Sequence, residues 1–374
     1  MDTRDIFGLR PSIIIICILL TLSCYNSPDT YTEETVDGVR YVHNLAPLWS
    51  DAQMISLEFV QKIGELEGDD ENYQLFRPFD VLKDNDGNIC ILETGKQRIS
   101  IFSQDGKFLK GIGGNGQGPG EFLEPLTFDI DINSSFYITD IGQRQIKKID
   151  YYGAELSKFH YNSSHRPPEI RIVGNRIFMG GYLWYSTSMT VPVDQTETLF
   201  TLFDNQGNVI KSLEKPFKFK YKSGYIVEGT TLIEDDKKGD LILCFRKTDC
   251  LRKYSSDGKI IFESTRPLET PDSEHITIDG NDVYINDITI GLGIDNKNRI
   301  WTASYIEQIP FRERRKLKDI NADHIEFEIF NSEGILLTKL PVPVNFNRMR
   351  IVDNSLLLIG NENISVYEYK IVEK

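Results

Sequence analysis

Cysteine is scarce in this chain, with five among 374 residues, and histidine is no commoner. So few cysteines exclude a disulfide-dense miniprotein. Basic residues are in deficit as well: 42 Lys and Arg stand against 56 Asp and Glu, a formal net charge of −14. Duplex affinity comes largely from neutralising phosphates with Lys and Arg, so no nucleic-acid partner is expected. The longest apolar run, Ile13–Leu20, is shorter than a membrane-spanning helix requires, which excludes a multi-span membrane protein. The composition also excludes a collagen and a coiled coil. What is present suits a packed chain: 40% hydrophobic and 26% charged residues, with 17 Tyr and 21 Phe favouring strands over helices.

The sequence repeats itself. Shifted by 47 residues, Pro78 falls on Pro125, Asp84 on Asp131, Ile91 on Ile138, Gly95 on Gly142, Ile99 on Ile146 and Gly106 on Gly153. Similar residues fill the gaps, among them Val81 with Phe128 and Glu93 with Asp140. The skeleton is an apolar run, a D-x-x-G or N-x-x-G turn, an alternating run and a second turn ending in glycine. It recurs less regularly, with terminal glycines at Gly106, Gly153, Gly207, Gly258 and Gly334.

Each unit carries four short strand signals. In the first they are Phe79–Lys83, Ile89–Glu93, Arg98–Phe102 and Lys107–Ile112, punctuated by Asp-Gly turns. Four antiparallel strands repeated at this spacing describe a propeller blade, which needs neighbours to bury its faces. Five blades carry a terminal glycine. A sixth starts near Asn345 with strands at Arg348–Val352, Ser355–Ile359 and Ile364–Tyr369, one strand short. The spacing predicts that Ile55–Ile63 supplies the missing strand and removes an exposed edge. The fold class is therefore all-β, a six-bladed β-propeller closed by an N-terminal strand. The competing count is seven blades, with Pro271–Asp287 forming one of its own.

Gly111–Phe122 reads GIGGNGQGPGEF, with Pro125 just beyond. That stretch is similar to the NHL-repeat signature, in which a G-x-G-P-G-E-F loop leads from one blade to the next. At the N-terminus, Ile13–Leu20 followed by Thr21-Leu22-Ser23-Cys24 resembles a bacterial lipoprotein signal, in which the Cys is lipidated after cleavage. The same run also reads as a plain secretory signal or an uncleaved anchor. Taken together, the chain resembles the six-bladed β-propeller lipoproteins of Gram-negative cell envelopes. That resemblance implies a signal peptide at 1–23, a lipid-anchored tether at 24–50 and an NHL-like propeller at 51–374. It also implies lipidation at Cys24, a cell-envelope location at the outer membrane, and membrane contact through the lipid alone.

Few motifs carry chemistry. Gly111, Gly113 and Gly116 satisfy G-x-G-x-x-G, but Gln117-Gly118-Pro119-Gly120 follows and no phosphate-binding helix can start there. The glycines are read instead as an interblade link. His43, His160, His165, His275 and His324 do not recur at the repeat offset, so no histidine metal site is expected. Cys90, Cys244 and Cys250 are odd in number; Cys244 and Cys250 face each other across a hairpin or are buried thiols. Asp84 and Asp131 are read as turn residues, with Asp295 in the same context. No cofactor is expected. Under an alternative reading, the chain is a propeller hydrolase or lyase holding Ca²⁺ through inner-strand carboxylates such as Asp80, Asp129 and Asp295.

Length is distributed unevenly. The Gly-ended turns are short, whereas the other set of links holds the insertions Gly111–Glu124, Phe159–Pro168, Tyr182–Thr196, Lys215–Gly224, Thr265–Asp287 and Ser304–His324. In a propeller both kinds of long link leave from one end, and long loops on a rigid scaffold are where binding resides. Aromatics there (Tyr182, Trp184, Tyr185, Trp301 and Tyr305) suit sugar rings or peptide side chains. Arg312, Arg314 and Arg315 lie in the last insertion; Arg77, Arg98, Arg144, Arg166 and Arg246 lie at or beside other loops of that end. They suit an anionic group. The expectation is a binding module without catalysis, for an envelope carbohydrate, peptide or protein.

Overall fold

The structure is a computed structural model, and it describes residues 29–49, 54–65, 68–161, 169–180, 198–214, 217–221, 224–228, 231–267, 276–279, 282–285, 287–307, 322–361 and 364–374. The chain opens with a hairpin, β1 (Tyr31–Val36) and β2 (Val39–Asn44), followed by β3 (Ile55–Ile63). Blade 1 contains β4 (Pro78–Lys83), β5 (Ile89–Glu93), β6 (Arg98–Phe102) and β7 (Phe108–Gly113). Blade 2 contains β8 (Pro125–Ile130), β9 (Phe136–Asp140), β10 (Gln145–Ile149) and β11 (Glu155–His160). Blade 3 contains β12 (Glu169–Val173), β13 (Arg176–Gly180), β14 (Phe200–Asp204) and β15 (Val209–Leu213). A hairpin of β16 (Phe217–Tyr221) and β17 (Gly224–Glu228) leads into blade 4, which contains β18 (Thr231–Asp235), β19 (Leu241–Phe245), β20 (Leu251–Tyr254) and β21 (Ile260–Thr265). A second hairpin, β22 (Ile276–Asp279) and β23 (Asp282–Ile285), precedes blade 5, with β24 (Thr289–Ile294), β25 (Ile300–Tyr305), β26 (Ile325–Phe330) and β27 (Leu336–Pro341). Blade 6 contains β28 (Phe346–Val352), β29 (Ser355–Gly360) and β30 (Val366–Glu373).

Strand β3 completes blade 6 by pairing antiparallel with β30, from Ile55↔Glu373 to Ile63↔Val366. The expected closing strand is thus the observed one, residue for residue. In the stretch 271–287 the described residues form a two-stranded hairpin, and the four-stranded units number six.

Six hydrophobic clusters fill the six seams between neighbouring blades. The seam that closes the circle joins Val81, Ile91 and Phe102 of blade 1 to Leu357, Ile359 and Ile63 of blade 6. Each second strand is packed on both faces and so loses its alternation: β5, β9 and β19 are buried at every position. The repeat positions have matching local causes. Asp84 Oδ1 accepts from the N–H groups of Asp86 (3.0 Å) and Asn88 (2.8 Å), and Asp131 Oδ1 does the same for Asn133 and Ser135 (2.9 Å each). Glu93 accepts from Phe76 N–H (2.7 Å), and Asp140 from Leu123 and Glu124 N–H (3.0 Å each), so this pair fixes how the chain enters each blade.

The N-terminal region departs from the sequence reading. Residues 31–44, placed there in a tether, form a hairpin that extends blade 4 to six strands, with β2 parallel to β21. Its signal is faint because the side chains of β1 are almost all exposed and no apolar alternation marks it. Asn44 is the pivot. Its amide donates to Ser264 Oγ, Thr265 O and Gly334 O (3.0 Å each) and accepts from Leu336 N–H (2.8 Å), which ties blade 4 to blade 5. Backbone bonds from Leu48 and Trp49 to Leu336 and Leu337 carry the chain across blade 5 before β3 enters blade 6. Residues 31–49 and β3 therefore form a belt along three successive blades.

Candidate functional site

The innermost strand of each blade faces the propeller axis, and ionisable side chains on those of blades 1, 3, 4 and 6 meet there. They form a closed ring of alternating charge. Asp80 of blade 1 accepts from Arg348 Nε of blade 6 (3.0 Å). Arg348 bonds both oxygens of Glu169 of blade 3, and Glu169 meets Arg171 Nη2 at 3.3 Å. Arg171 makes a bidentate pair with Glu234 of blade 4 (2.9 and 2.6 Å). Glu234 accepts from Arg350 Nη1 at 3.3 Å, and Arg350 returns to Asp80. Blade 2 joins the ring by donating Thr127 Oγ1–H and Phe128 N–H to Asp80 (2.7 and 3.2 Å), while Phe128 O accepts from Arg350 (3.1 Å).

The ring is dry at most positions; Arg350 is 1% exposed, and Arg348 is the most accessible of the arginines. Burial alone would raise Asp80, but Arg348 and Arg350 hold its carboxyl well below the usual carboxylate range. Arg348 and Glu169 lie near the strand ends where the long links enter. At the opposite ends, next to the tight turns, sit Asp129 and Asp235. Burial pushes Asp129 up to about 6 against the pull of Arg171 and Arg350. It pushes Asp235 to about 7, helped by the charges of Asp129 and Glu234. Asp129 Oδ2 accepts from Ile172 N–H (2.7 Å).

The asymmetry of the links is as expected. The tight turns 84–88, 103–107, 131–135, 150–154, 236–240, 255–259, 295–299 and 331–335 join first to second and third to fourth strands. The strand ends that flank the longer links, such as Gly113 and Pro125, Gly180 and Phe200, and Tyr305 and Ile325, lie at the other end, where second strand passes to third or one blade to the next.

The residues expected at that end meet different fates. Arg77 and Arg144 are exposed, each in the left-handed region (φ 51° and 53°) of a loop-end link. Arg98 is half-buried, bonded to Glu93 (3.2 Å) and set over the Phe108 ring, so it serves the blade. Arg246 lies beside Asp287 (3.4 Å), and its carbonyl accepts from Ile288 and Thr289. Tyr305 is half-buried at the end of β25, packed on the cluster between blades 5 and 6. Trp301 corrects the sequence reading: it is fully buried in a second strand packed on both faces, its Nε1–H bonded to Asp295 Oδ2 (3.0 Å), and is no ligand contact. Arg166, Tyr182, Trp184, Tyr185, Arg312, Arg314 and Arg315 lie outside the described residues, as do Cys24, His165 and His275.

Asp295 shapes its turn and pairs with Arg299 (2.6 Å), and Asp80 belongs to the ring. Cys90, Cys244 and Cys250 are free and buried. His43, His160 and His324 stand on separate elements, and no three metal-ligating side chains gather among the described residues. The ring was missed in the sequence because its members are distant: Glu169 and Arg348 are separated by 179 residues. The available signal was charge inside first-strand segments, as in Glu169-Ile170-Arg171 and Arg348-Met349-Arg350.

Solved structures show the same architecture. A member of the DUF4221 family from Bacteroides vulgatus aligns at a TM-score of 0.58 and 12% identity, covering 87% of this chain and 100% of its own. A protein from Bacteroides fragilis described as a putative exported protein aligns at 0.56 and 11%, covering 86% and 96%. At these identities the likeness concerns the fold alone. No curated protein matches. The family model for DUF5128, described as a 6-bladed beta-propeller, matches residues 52–249, more than half of the sequence, and the chain belongs to that family.

Proposed function

We propose that this chain is a lipid-anchored binding module of the cell envelope, held through Cys24 at the outer membrane, which recognises a carbohydrate, peptide or protein at its long-link end. The observation that carries this reading is the ring across the axis. A through-channel site would have to break charge-assisted bonds among Asp80, Glu169, Glu234 and three arginines, so the accessible surface for a ligand is the elaborated end above them. The same commitment of carboxylates weighs against a channel enzyme, since a divalent cation held by Asp80 or Glu234 would compete with arginines already in place. Exposed Arg77 and Arg144 supply cationic contacts at that end.

Two measurements test it. Cys24→Ser moves the protein from the membrane to the soluble fraction; unchanged membrane association overturns the anchor. A photoreactive residue placed at Arg77 or Arg144 captures a partner in intact cells, whereas one at Ile132 or Tyr152, exposed on tight turns, does not. Capture from the turn end alone overturns the assigned face.

A further inference from the structure

A depression of about 400 Å³ opens at the seam between blades 6 and 1, among Glu65, residues 71–76, Lys96 and Ile364. Leu75, Phe76 and Ile364 form its apolar wall, and Glu65, Glu71 and Gln74 line it with Lys96. Its volume falls within the range that holds small ligands.

The wall is built with care. Phe76 leaves 54% of its surface exposed although a large aromatic gains by burial. Its ring sits against Gly95, where an added Cβ would stand 2.3 Å from Cδ1, so only glycine leaves it room on that side. Ile364 adopts φ 46°, a conformation that a β-branched residue avoids. Such strain persists only where the surroundings hold it, and it concentrates at binding sites. Gly64 at φ 102° lets Leu75 approach, because a Cβ there would meet its Cδ1 at 2.7 Å.

The rim has a definite charge. Lys96 is already engaged: its Nζ donates to Gln74 O (2.6 Å) and Glu71 O (3.2 Å) and lies 3.1 Å from Glu93 Oε2, a fully buried carboxylate. That carboxylate also bonds Arg98 (3.2 Å), so the two cations share it. The Gln74 amide is tied to Gly68 O (2.6 Å). Glu65 and Glu71 remain as exposed carboxylates in the same lining as the partly exposed Phe76. A cation on an apolar stem finds carboxylates for its head, an aromatic face for cation–π contact, and Leu75 and Ile364 for its stem.

We propose that this depression receives an ammonium or guanidinium group on an apolar stem, carried by a free amine or by a Lys or Arg side chain of a peptide. The assignment does not depend on the lipid anchor or on the arginines of the loop end, so either reading can fail alone.

Calorimetric titration of the full chain in detergent tests it, with pentylamine as probe and pentanol and pentanoate as comparators of equal stem. Pentylamine binds, pentanol binds about tenfold more weakly for want of charge-assisted bonds, and pentanoate does not bind. Equal affinity for amine and alcohol overturns the proposal. Phe76→Ala and the pair Glu65→Gln with Glu71→Gln each weaken pentylamine about tenfold, with the melting temperature nearly unchanged. If Phe76→Ala fails to fold, the charge-neutral pair decides; unchanged amine affinity in that pair sinks the idea. An Ala-Lys-Ala peptide binding more tightly than pentylamine identifies a peptide source, and the reverse order a free amine.

Discussion

Arg350 grips Asp80 twice across the seam between the last blade and the first, Nε to Oδ1 at 3.0 Å and Nη2 to Oδ2 at 3.1 Å. The two residues lie 270 positions apart, and the bond exists only when the circle is closed. Both are buried, so each protects the other from standing as a lone charge in a dry interior.

Removing one partner is therefore expected to cost more than the pair contributes. Arg350→Ala should destabilise the fold by about 3–5 kcal/mol, because Asp80 and Glu234 lose a buried counter-charge. Denaturant unfolding measures it. A loss under about 1 kcal/mol would show that water reaches the ring and screens it.

The axis also sets a pH dependence. Asp129 and Asp235 titrate near about 6 and 7 in the folded protein, above their unfolded value of 3.8. The folded state thus binds more protons than the unfolded chain between about pH 4 and 7, and stability falls as pH rises through that window. Asp80, Glu328 and Glu368 are lowered when folded, so their contribution is lost on further acidification below about pH 4. Melting temperature should peak in mild acid. Asp129→Asn with Asp235→Asn should flatten the alkaline limb from pH 5 to 8; an unaltered limb would assign the effect elsewhere.

Asn44 gives a third test. Asn44→Ala strands Leu336 N–H in a buried corner and takes a donor from Thr265 O, while Ser264 Oγ and Gly334 O keep only each other (2.7 Å), at a cost of about 2 kcal/mol. Hydrogen exchange should then quicken in β1 and β2 while blades 1 to 3 keep their protection. Uniform loss across the propeller would contradict a local role.

The interblade link offers a fourth. Gly120 sits at φ 74°, and a Cβ there would lie 2.4 Å from the carbonyl oxygen of Gly153 in the next blade. Gly120→Ala should destabilise by about 2 kcal/mol, through backbone conformation and contact together. An alanine variant as stable as the native chain would mean that the link shifts freely.

What the sequence disclosed follows from the range of each interaction. The turns at Asp84 and Asp131 and the caps at Glu93 and Asp140 act within about twenty residues, so they imprint a repeat that can be read. The closing strand was legible for a related reason: blade 6 lacked one member, and Ile55–Ile63 had no other partner. The hairpin at 31–44 left no imprint because an outer edge exposes both faces of its last strand. The axial ring was hidden by distance. Trp301 was misplaced because its nearness to an insertion was weighed above its position in a second strand, where both faces are covered.

The belt has a consequence for how the molecule is made. Its last segment, β3, is synthesised early yet pairs with β30 at the far terminus, Ile55 opposite Glu373. During synthesis this strand waits, edge exposed, until β30 has emerged. A premature stop ahead of β30 would leave the clasp without its catch, and the circle would be open at birth.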